Sequence, residues 1–87
     1  MKPHIANYIS AFGLSEGDWI KCELPDCETQ AVHIHHIIFR SHIFGEERDH
    51  INNLMALCHE HHSIIHDGDG IDREYLQMIH QRNLDLI

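Results

Sequence analysis

Residues 56–66 constrain this chain most, because two metal-ligand spacings overlap within them. The segment contains one of the three cysteines and four of the eleven histidines of the chain. In a helix, Cys58 and His61 at positions i and i+3 point to the same side. His62 and His66, at positions i and i+4, also converge on one point. That point lies about 100° around the helix axis from His61. One helix can therefore provide ligands to two different metal ions.

The length of the chain limits the alternatives. At 87 residues there is room for one domain, residues 1–87. Such a domain buries only about 60–65% of its unfolded surface, so a structural metal is a sensible supplement to packing. No segment approaches the roughly 20 apolar residues that span a bilayer, and residues 1–4 lack the apolar core of a signal peptide. We therefore expect a cytoplasmic protein with no membrane partner.

The charge of the chain bears on its partners. The formal net charge is −8, and the six basic residues form no run. A protein that depends on contacts with the nucleic-acid backbone for its affinity is normally basic. If the substrate is a nucleic acid, we expect unaided binding to be weak and sensitive to salt.

A pair of thiols lies upstream of the predicted helix. Cys22 and Cys27 flank Pro25, and a turn there would point both sulfurs to one side. Three cysteines cannot all pair in disulfides, and in a reducing compartment thiols at these spacings are better explained as metal ligands. We predict a closed, tetrahedral, structural zinc site with these ligands: Cys22, Cys27, Cys58 and His61.

Two short strands are predicted between the thiols and the helix. Residues 29–38 are rich in β-branched side chains, and strand alternation places His33 and His35 on one face and His36 on the other. Residues 53–58 form an apolar run suited to a second strand. Antiparallel pairing of the two would bring the start of the helix close to the strand histidines.

Two further helices flank this core. An i, i+3, i+4, i+7 apolar stripe over residues 3–12, followed by Gly13, predicts a helix that covers the core. Residues 71–87 predict a final helix capped by Asp72. In these flanking regions we expect the following side chains to pack inward: Trp19, Ile20, Tyr75, Leu76 and Ile79.

A polar loop is predicted over residues 39–52, which contain one glycine and no sustained period. Loops of this length are often functional. Arg40 and Arg48 are candidates for contacts with substrate phosphates, with a solvated charged loop as the equal alternative.

Four elements in this order resemble the HNH endonuclease family: Cys22-x4-Cys27, His35-His36-Ile37, Asn53-Leu54-x2-Leu57-Cys58 and His62-x3-His66. The resemblance covers roughly residues 20–67 and depends on the order and spacing of the elements. It implies an α+β fold with a ββα-metal core, in which a β-hairpin packs on a helix and one divalent ion lies between them. The N- and C-terminal helices would flank this core.

The resemblance also implies roles for individual residues. His36 matches the general base, and Asn53 matches the residue that holds the loop and orients the base. His35, His62 and His66 match ligands of the catalytic ion, which the sequence leaves open as Mg²⁺, Mn²⁺, Ni²⁺ or Zn²⁺.

The zinc knuckle of the family usually has a cysteine as its fourth ligand. This chain has His61 at that position and His59 as an alternative. We expect five of the remaining histidines to be surface or hydrogen-bonded residues: His33, His42, His50, His59 and His80.

The resemblance implies a metal-dependent endonuclease that hydrolyses DNA phosphodiester bonds, by nicking or cleavage, with low intrinsic sequence specificity and one catalytic ion. It points to a small bacteriophage-type protein that acts in the host cytoplasm, with a protein partner such as packaging machinery to deliver DNA. RNA remains an open alternative substrate. Two other classes also remain open: a non-catalytic zinc-binding module for protein or nucleic-acid contacts, and a metal-handling protein with loosely bound ions.

Overall fold

The computed structural model of the protein describes residues 2–38, 48–68 and 72–87. Its helices and strands follow in the order α1 (Pro3–Ala11), β1 (His33–His36), β2 (Leu54–Leu57), α2 (His59–His66) and α3 (Arg73–Asp85). A short 3₁₀ helix, Ile51–Asn53, leads directly into β2. The predicted α+β class is thus confirmed as three helices and a two-stranded antiparallel hairpin. Within these ranges, no helix is both long and apolar enough to cross a bilayer.

The two strands pair as the sequence predicts. β1 and β2 are antiparallel, with His33 opposite Leu57 and His36 opposite Leu54. A hydrogen bond of 2.9 Å from the Ile37 nitrogen to the Asn53 oxygen extends the ladder beyond the strands. The pairing places the start of α2 beside the strand that carries the histidines.

Strand β2 forms the centre of the core, because all four of its residues are buried. Met55 and Leu57 belong to one core cluster, together with apolar residues of α2 and α3. Leu54 and Ala56 pack with Tyr8 of α1 in a second cluster. This division follows from the alternation of side chains along a strand. The sheet therefore has α1 on one face and α2 and α3 on the other.

The helix ends follow local sequence signals. The Asp72 carboxylate accepts a hydrogen bond of 2.7 Å from the Tyr75 nitrogen and so caps α3. Gly13 and Gly68 follow α1 and α2 with φ of 67° and 77°, a conformation that glycine adopts without strain. The predicted cap at Asp72 and the predicted end of α1 are confirmed.

The buried carboxylate of Glu23 joins the flanking helices to the sheet. Its Oε2 accepts hydrogen bonds of 2.7 Å from the Tyr8 hydroxyl and 2.8 Å from the Ala56 nitrogen. Its Oε1 lies 2.7 Å from His80 Nδ1 and 3.1 Å from Asn83 Nδ2. Burial, and then the adjacent Glu23 charge, raise the pKa of Tyr8. One side chain thus holds α1, β2 and α3 together.

Two packing predictions are wrong. The side chains of Trp19 and Tyr75 are 58% and 42% exposed, respectively. On α3 the buried stripe consists of Leu76, Ile79 and His80, which are spaced at i, i+3 and i+4 and leave Tyr75 at its edge. His80 takes an inward position because its ring pairs with Glu23.

Candidate metal centres

The four predicted zinc ligands lie together. The sulfur and nitrogen atoms of Cys22, Cys27, Cys58 and His61 are all within 4.8 Å of one another. Cys58 Sγ is 3.2 Å from His61 Nδ1 and 4.0 Å from Cys27 Sγ, and Cys22 Sγ is 3.7 Å from His61 Nδ1. Ligands around a tetrahedral zinc ion, at about 2.0–2.3 Å from it, are about 3.4–3.8 Å apart. The cluster therefore fits a metal ion such as zinc.

Local backbone structure brings these ligands together. The Cys22 nitrogen donates to the Thr29 oxygen at 2.9 Å, and the Cys27 nitrogen donates to the Leu24 oxygen at 3.3 Å. Asp26 closes this turn with a positive φ of 62°. Cys58 is the N-cap of α2, so His61 lies on the first turn of that helix.

The fourth residue of this cluster is His61, whereas the alternative, His59, lies outside it. The His59 ring is exposed and lies 5.9 Å from the ring of His33, measured between ring centroids. All three cysteines are free thiols and buried. Four buried or partly buried donors with no open position are typical of a structural zinc site.

The two thiols of the turn differ in acidity. Burial raises the pKa of Cys22 to about 11. A backbone hydrogen bond from Thr29 lowers the pKa of Cys27 to about 7. Because thiolates are the metal-binding form, metal binding at this cluster releases protons.

Three further histidines converge between β1 and α2. The ring nitrogens of His35, His62 and His66 lie within 4.8 Å of one another. The ring centroids are 5.3 Å apart for His35 and His62, 5.4 Å for His35 and His66, and 4.4 Å for His62 and His66. We call this group the three-histidine cluster. It lies on the face of β1 that is turned toward α2.

Burial favours the neutral imidazole at two members of the three-histidine cluster, His35 and His62. Burial, with the neighbouring His62 and His66, lowers the pKa of His35 to about 4. Burial, with the neighbouring His33 and His66, lowers the pKa of His62 to about 4. A neutral imidazole has a lone pair available for a metal ion. Three such donors leave at least one position open, as in catalytic zinc sites, and a set made only of nitrogen suits transition metals.

His33 has a role that the sequence did not indicate. Its ring stacks on that of His62, with centroids 4.1 Å apart and an interplanar angle of 21°. Strand alternation predicted that His33 and His35 share a face, but not that the ring of His33 would lie against a candidate ligand.

His36 lies on the opposite face of β1, as alternation predicts. Its Nε2 is 2.8 Å from Asp49 Oδ1, and its side chain is only 10% exposed. The hydrogen bond from His36 lowers the pKa of Asp49. The His4 ring of α1 lies 4.9 Å from that of His36, between centroids. Sequence analysis missed Asp49 and His4, because one lies in a polar loop and the other beside an apolar stripe.

Asn53 is buried and connects the ends of the loop. Its Oδ1 accepts a hydrogen bond of 2.7 Å from the Ile38 nitrogen, and its Nδ2 donates to the Ile38 oxygen at 3.2 Å. Nδ2 also donates to the Arg48 oxygen at 2.9 Å. Asn53 therefore fixes the backbone immediately before Asp49 relative to the end of β1.

Two arginines, Arg40 and Arg48, are predicted to contact substrate phosphates. Arg40 lies outside the described residues. Arg48 is partly buried, and within the described ranges its buried Nε has no hydrogen-bond partner. Its contact with substrate stays a prediction.

No protein-family model, curated protein or solved structure matches this chain. The resemblance to HNH endonucleases therefore depends on the residue pattern.

Proposed function

We propose that this protein is a metal-dependent endonuclease of the HNH type that hydrolyses DNA phosphodiester bonds. The observation that carries the proposal is the convergence of His35, His62 and His66 between a strand and the following helix. The order of strand, strand and helix agrees with the ββα-metal core that the sequence resemblance implies. The four candidate zinc ligands, Cys22, Cys27, Cys58 and His61, here called the cysteine-rich cluster, would hold this core together at the start of the same helix.

The three-histidine cluster would hold the catalytic ion through three neutral nitrogens. When bound, such an ion stabilises negative charge on the phosphate and on the leaving oxygen. The nitrogen ligands favour a transition metal, whereas proteins of the resembled family commonly use Mg²⁺ or Mn²⁺. The nearly buried position of His35 excludes water from one side of the site.

His36, the last residue of β1, would act as the general base. Strand alternation places it on the face opposite the three-histidine cluster, so it would have to reach the attacking water around the end of the strand. A carboxylate only accepts hydrogen bonds, so the contact with Asp49 requires that His36 Nε2 carries a proton. In the neutral ring this leaves the lone pair on Nδ1, which can accept a proton from water near neutral pH. Asp49 would set this tautomer, and Asn53 would hold the loop backbone next to Asp49.

The acidic charge of the chain, −8, supports a partner in DNA delivery. The protein itself provides little attraction for a polyanion. We therefore propose that a DNA-bound protein partner, such as packaging machinery, raises the local concentration of substrate.

The test is nicking of supercoiled plasmid by protein that has been stripped of metal and refilled with one equivalent of zinc. Mg²⁺, Mn²⁺, Ni²⁺ or further Zn²⁺ is then added. We expect metal-dependent nicking by the wild type, and a loss of about 100-fold or more in His36→Ala and His62→Ala. His59→Ala is the matched control, because it removes an exposed histidine of the same helix, and we expect it to retain activity.

The second candidate is a non-catalytic zinc-binding module, favoured by the fit of the cysteine-rich cluster alone. Such a module has no need of His36 or of the three-histidine cluster. Folded, zinc-bound wild type that cuts neither DNA nor RNA with any ion, alone or with a DNA-bound partner, would favour this class. Activity on RNA but not on DNA would retain the nuclease and change its substrate.

A further inference from the structure

We propose that His4, His36 and Asp49 form a further site for a divalent transition-metal ion, here called the His4 site. Their ligand atoms lie within 4.8 Å of one another. The three residues come from α1, β1 and the segment before the 3₁₀ helix, so only the folded chain assembles them. The site lies on the face of β1 opposite the three-histidine cluster.

The distances suit coordination. His36 Nε2 and Asp49 Oδ1 are 2.8 Å apart, close to the roughly 3.0 Å between adjacent ligands of an octahedral ion with bonds of about 2.1 Å. The His4 and His36 rings are 4.9 Å apart, between centroids, and the ligand atom of His4 lies within 4.8 Å of those of His36 and Asp49. Coordination through Nε2 would replace the hydrogen bond between His36 and Asp49. The Nε2 proton would leave to solvent and Nδ1 would take up a proton, so the neutral ring would change tautomer.

The donor set defines the class of ion. Two imidazoles and one carboxylate bind Zn²⁺, Co²⁺, Ni²⁺ or Fe²⁺ and leave open positions. Mg²⁺ is a poor match because it prefers oxygen ligands and retains its waters. The His4 site should therefore discriminate between the two groups of ions.

Neighbouring contacts hold the site in place. Asn7 of α1 donates a hydrogen bond of 2.8 Å from Nδ2 to the backbone oxygen of Asp49. This bond joins the loop to the helix that carries His4. The side chains of His36 and Asp49 are 10% and 23% exposed. Partial burial reduces the competition from water for both ligands.

An ion bound at the His4 site would occupy His36 and so prevent it from acting in proton transfer. This consequence rests on the proposed function, whereas the existence of the site does not. Excess transition metal should then inhibit the enzyme, because the ion that binds at the His4 site occupies the general base. Activity would be highest when only the cysteine-rich and three-histidine clusters are loaded.

The first test counts ions. Protein is dialysed against a range of free Zn²⁺ concentrations, and bound zinc is measured by elemental analysis. We expect wild type and the control His59→Ala to saturate at one ion more than His4→Ala and Asp49→Asn. Circular dichroism checks that each variant is folded, and His4→Ala changes only a partly exposed residue in the first turn of α1. Equal saturation in wild type and His4→Ala would overturn the proposal.

The second test measures inhibition. Nicking supported by Mn²⁺ is followed while Zn²⁺ is added to wild type, His4→Ala and His59→Ala. Loss of one ligand should raise the inhibitory zinc concentration by at least about tenfold in His4→Ala only. If the ion count differs but the inhibition does not, the site exists, zinc inhibits elsewhere, as by displacing Mn²⁺ from the three-histidine cluster, and the proposed control of activity by the His4 site is wrong. The two tests thus separate failure of the site from failure of the proposed function.

Discussion

His80 Nδ1 lies 2.7 Å from Glu23 Oε1, and His80 Nε2 lies 2.6 Å from the backbone oxygen of Ile51. Glu23 also accepts hydrogen bonds from a hydroxyl and from backbone and side-chain nitrogens, as an ionised carboxylate does. Both His80 nitrogens lie within hydrogen-bond distance of an oxygen, and we infer from these contacts a doubly protonated ring beside an ionised carboxylate. The His80 and Glu23 side chains are 1% and 5% exposed. They form a buried pair that links α3 to the segment carrying the first two thiols.

Glu23→Ala is expected to lower the free energy of unfolding by about 3–5 kcal/mol, because it leaves the His80 charge buried without its partner. The measurement is urea denaturation of zinc-loaded protein. Glu74→Ala, an exposed acidic residue of α3, is the control and should change stability by less than about 0.5 kcal/mol. A loss below about 1 kcal/mol in Glu23→Ala would show that the pair is not ionised.

Removal of the ion at the cysteine-rich cluster is expected to unfold the protein. A metal ion would hold the three thiolates and the imidazole together in the folded chain, so metal-binding energy is then folding energy. Circular dichroism during titration with a zinc chelator should show loss of helix, and added zinc should restore it.

His61 belongs to the cysteine-rich cluster, whereas His59 on the same helix does not, so the two histidines should differ in their effect on zinc binding. His61→Ala is expected to weaken zinc binding by more than about 100-fold, because it removes a direct ligand, whereas His59→Ala should leave the affinity unchanged. Competition with a coloured chelator gives both affinities. The opposite order would make His59 the fourth ligand.

Asn53→Ala is expected to cost about 2–4 kcal/mol in unfolding free energy. The substitution leaves two backbone oxygens and one backbone nitrogen without their partner in a buried position. The neighbouring Asn52 is exposed, so Asn52→Ala is the matched control and should cost less than about 1 kcal/mol. Equal effects of the two substitutions would contradict the role that we assign to Asn53.

When the three-histidine cluster holds no ion, we expect the free energy of unfolding to decrease as the pH falls from about 6.5 to about 4. Unfolded histidine has a pKa of about 6.5, whereas burial holds the pKa of His35 and His62 at about 4 in the folded protein. Between these values the unfolded chain binds more protons, so acid favours unfolding, and above about pH 6.5 the contribution is constant.

The measurement compares urea denaturation at pH 7 and pH 5, with zinc supplied only for the cysteine-rich cluster. The double variant His35→Gln, His62→Gln lacks both titrating groups but retains that cluster. Wild type should lose more stability than the double variant over this interval. An equal loss in both proteins would place the acid sensitivity elsewhere.

Sequence analysis predicted the elements whose signals are local. The spacing of Cys58 and His61, the cap at Asp72 and the alternation along β1 all follow from helix and strand geometry. Whether a residue of the flanking regions is buried was less predictable. Trp19 and Tyr75 are apolar enough for the core but are exposed. Their burial depends on which neighbours reach them and not on their own hydrophobicity.

The sequence by itself determined three close pairs, Cys22 with Cys27, Cys58 with His61, and His62 with His66, because each depends on a turn or a helical repeat within a few residues. Only the tertiary structure decided that Glu23 meets His80, 57 residues away, and that His36 meets Asp49, 13 residues away. Polar groups this far apart in the sequence meet only when the chain packs. No local repeat in the sequence predicts which of them will pair. The His4 site depends on the same long-range packing, because α1 must lie against β1 before its ligands can meet.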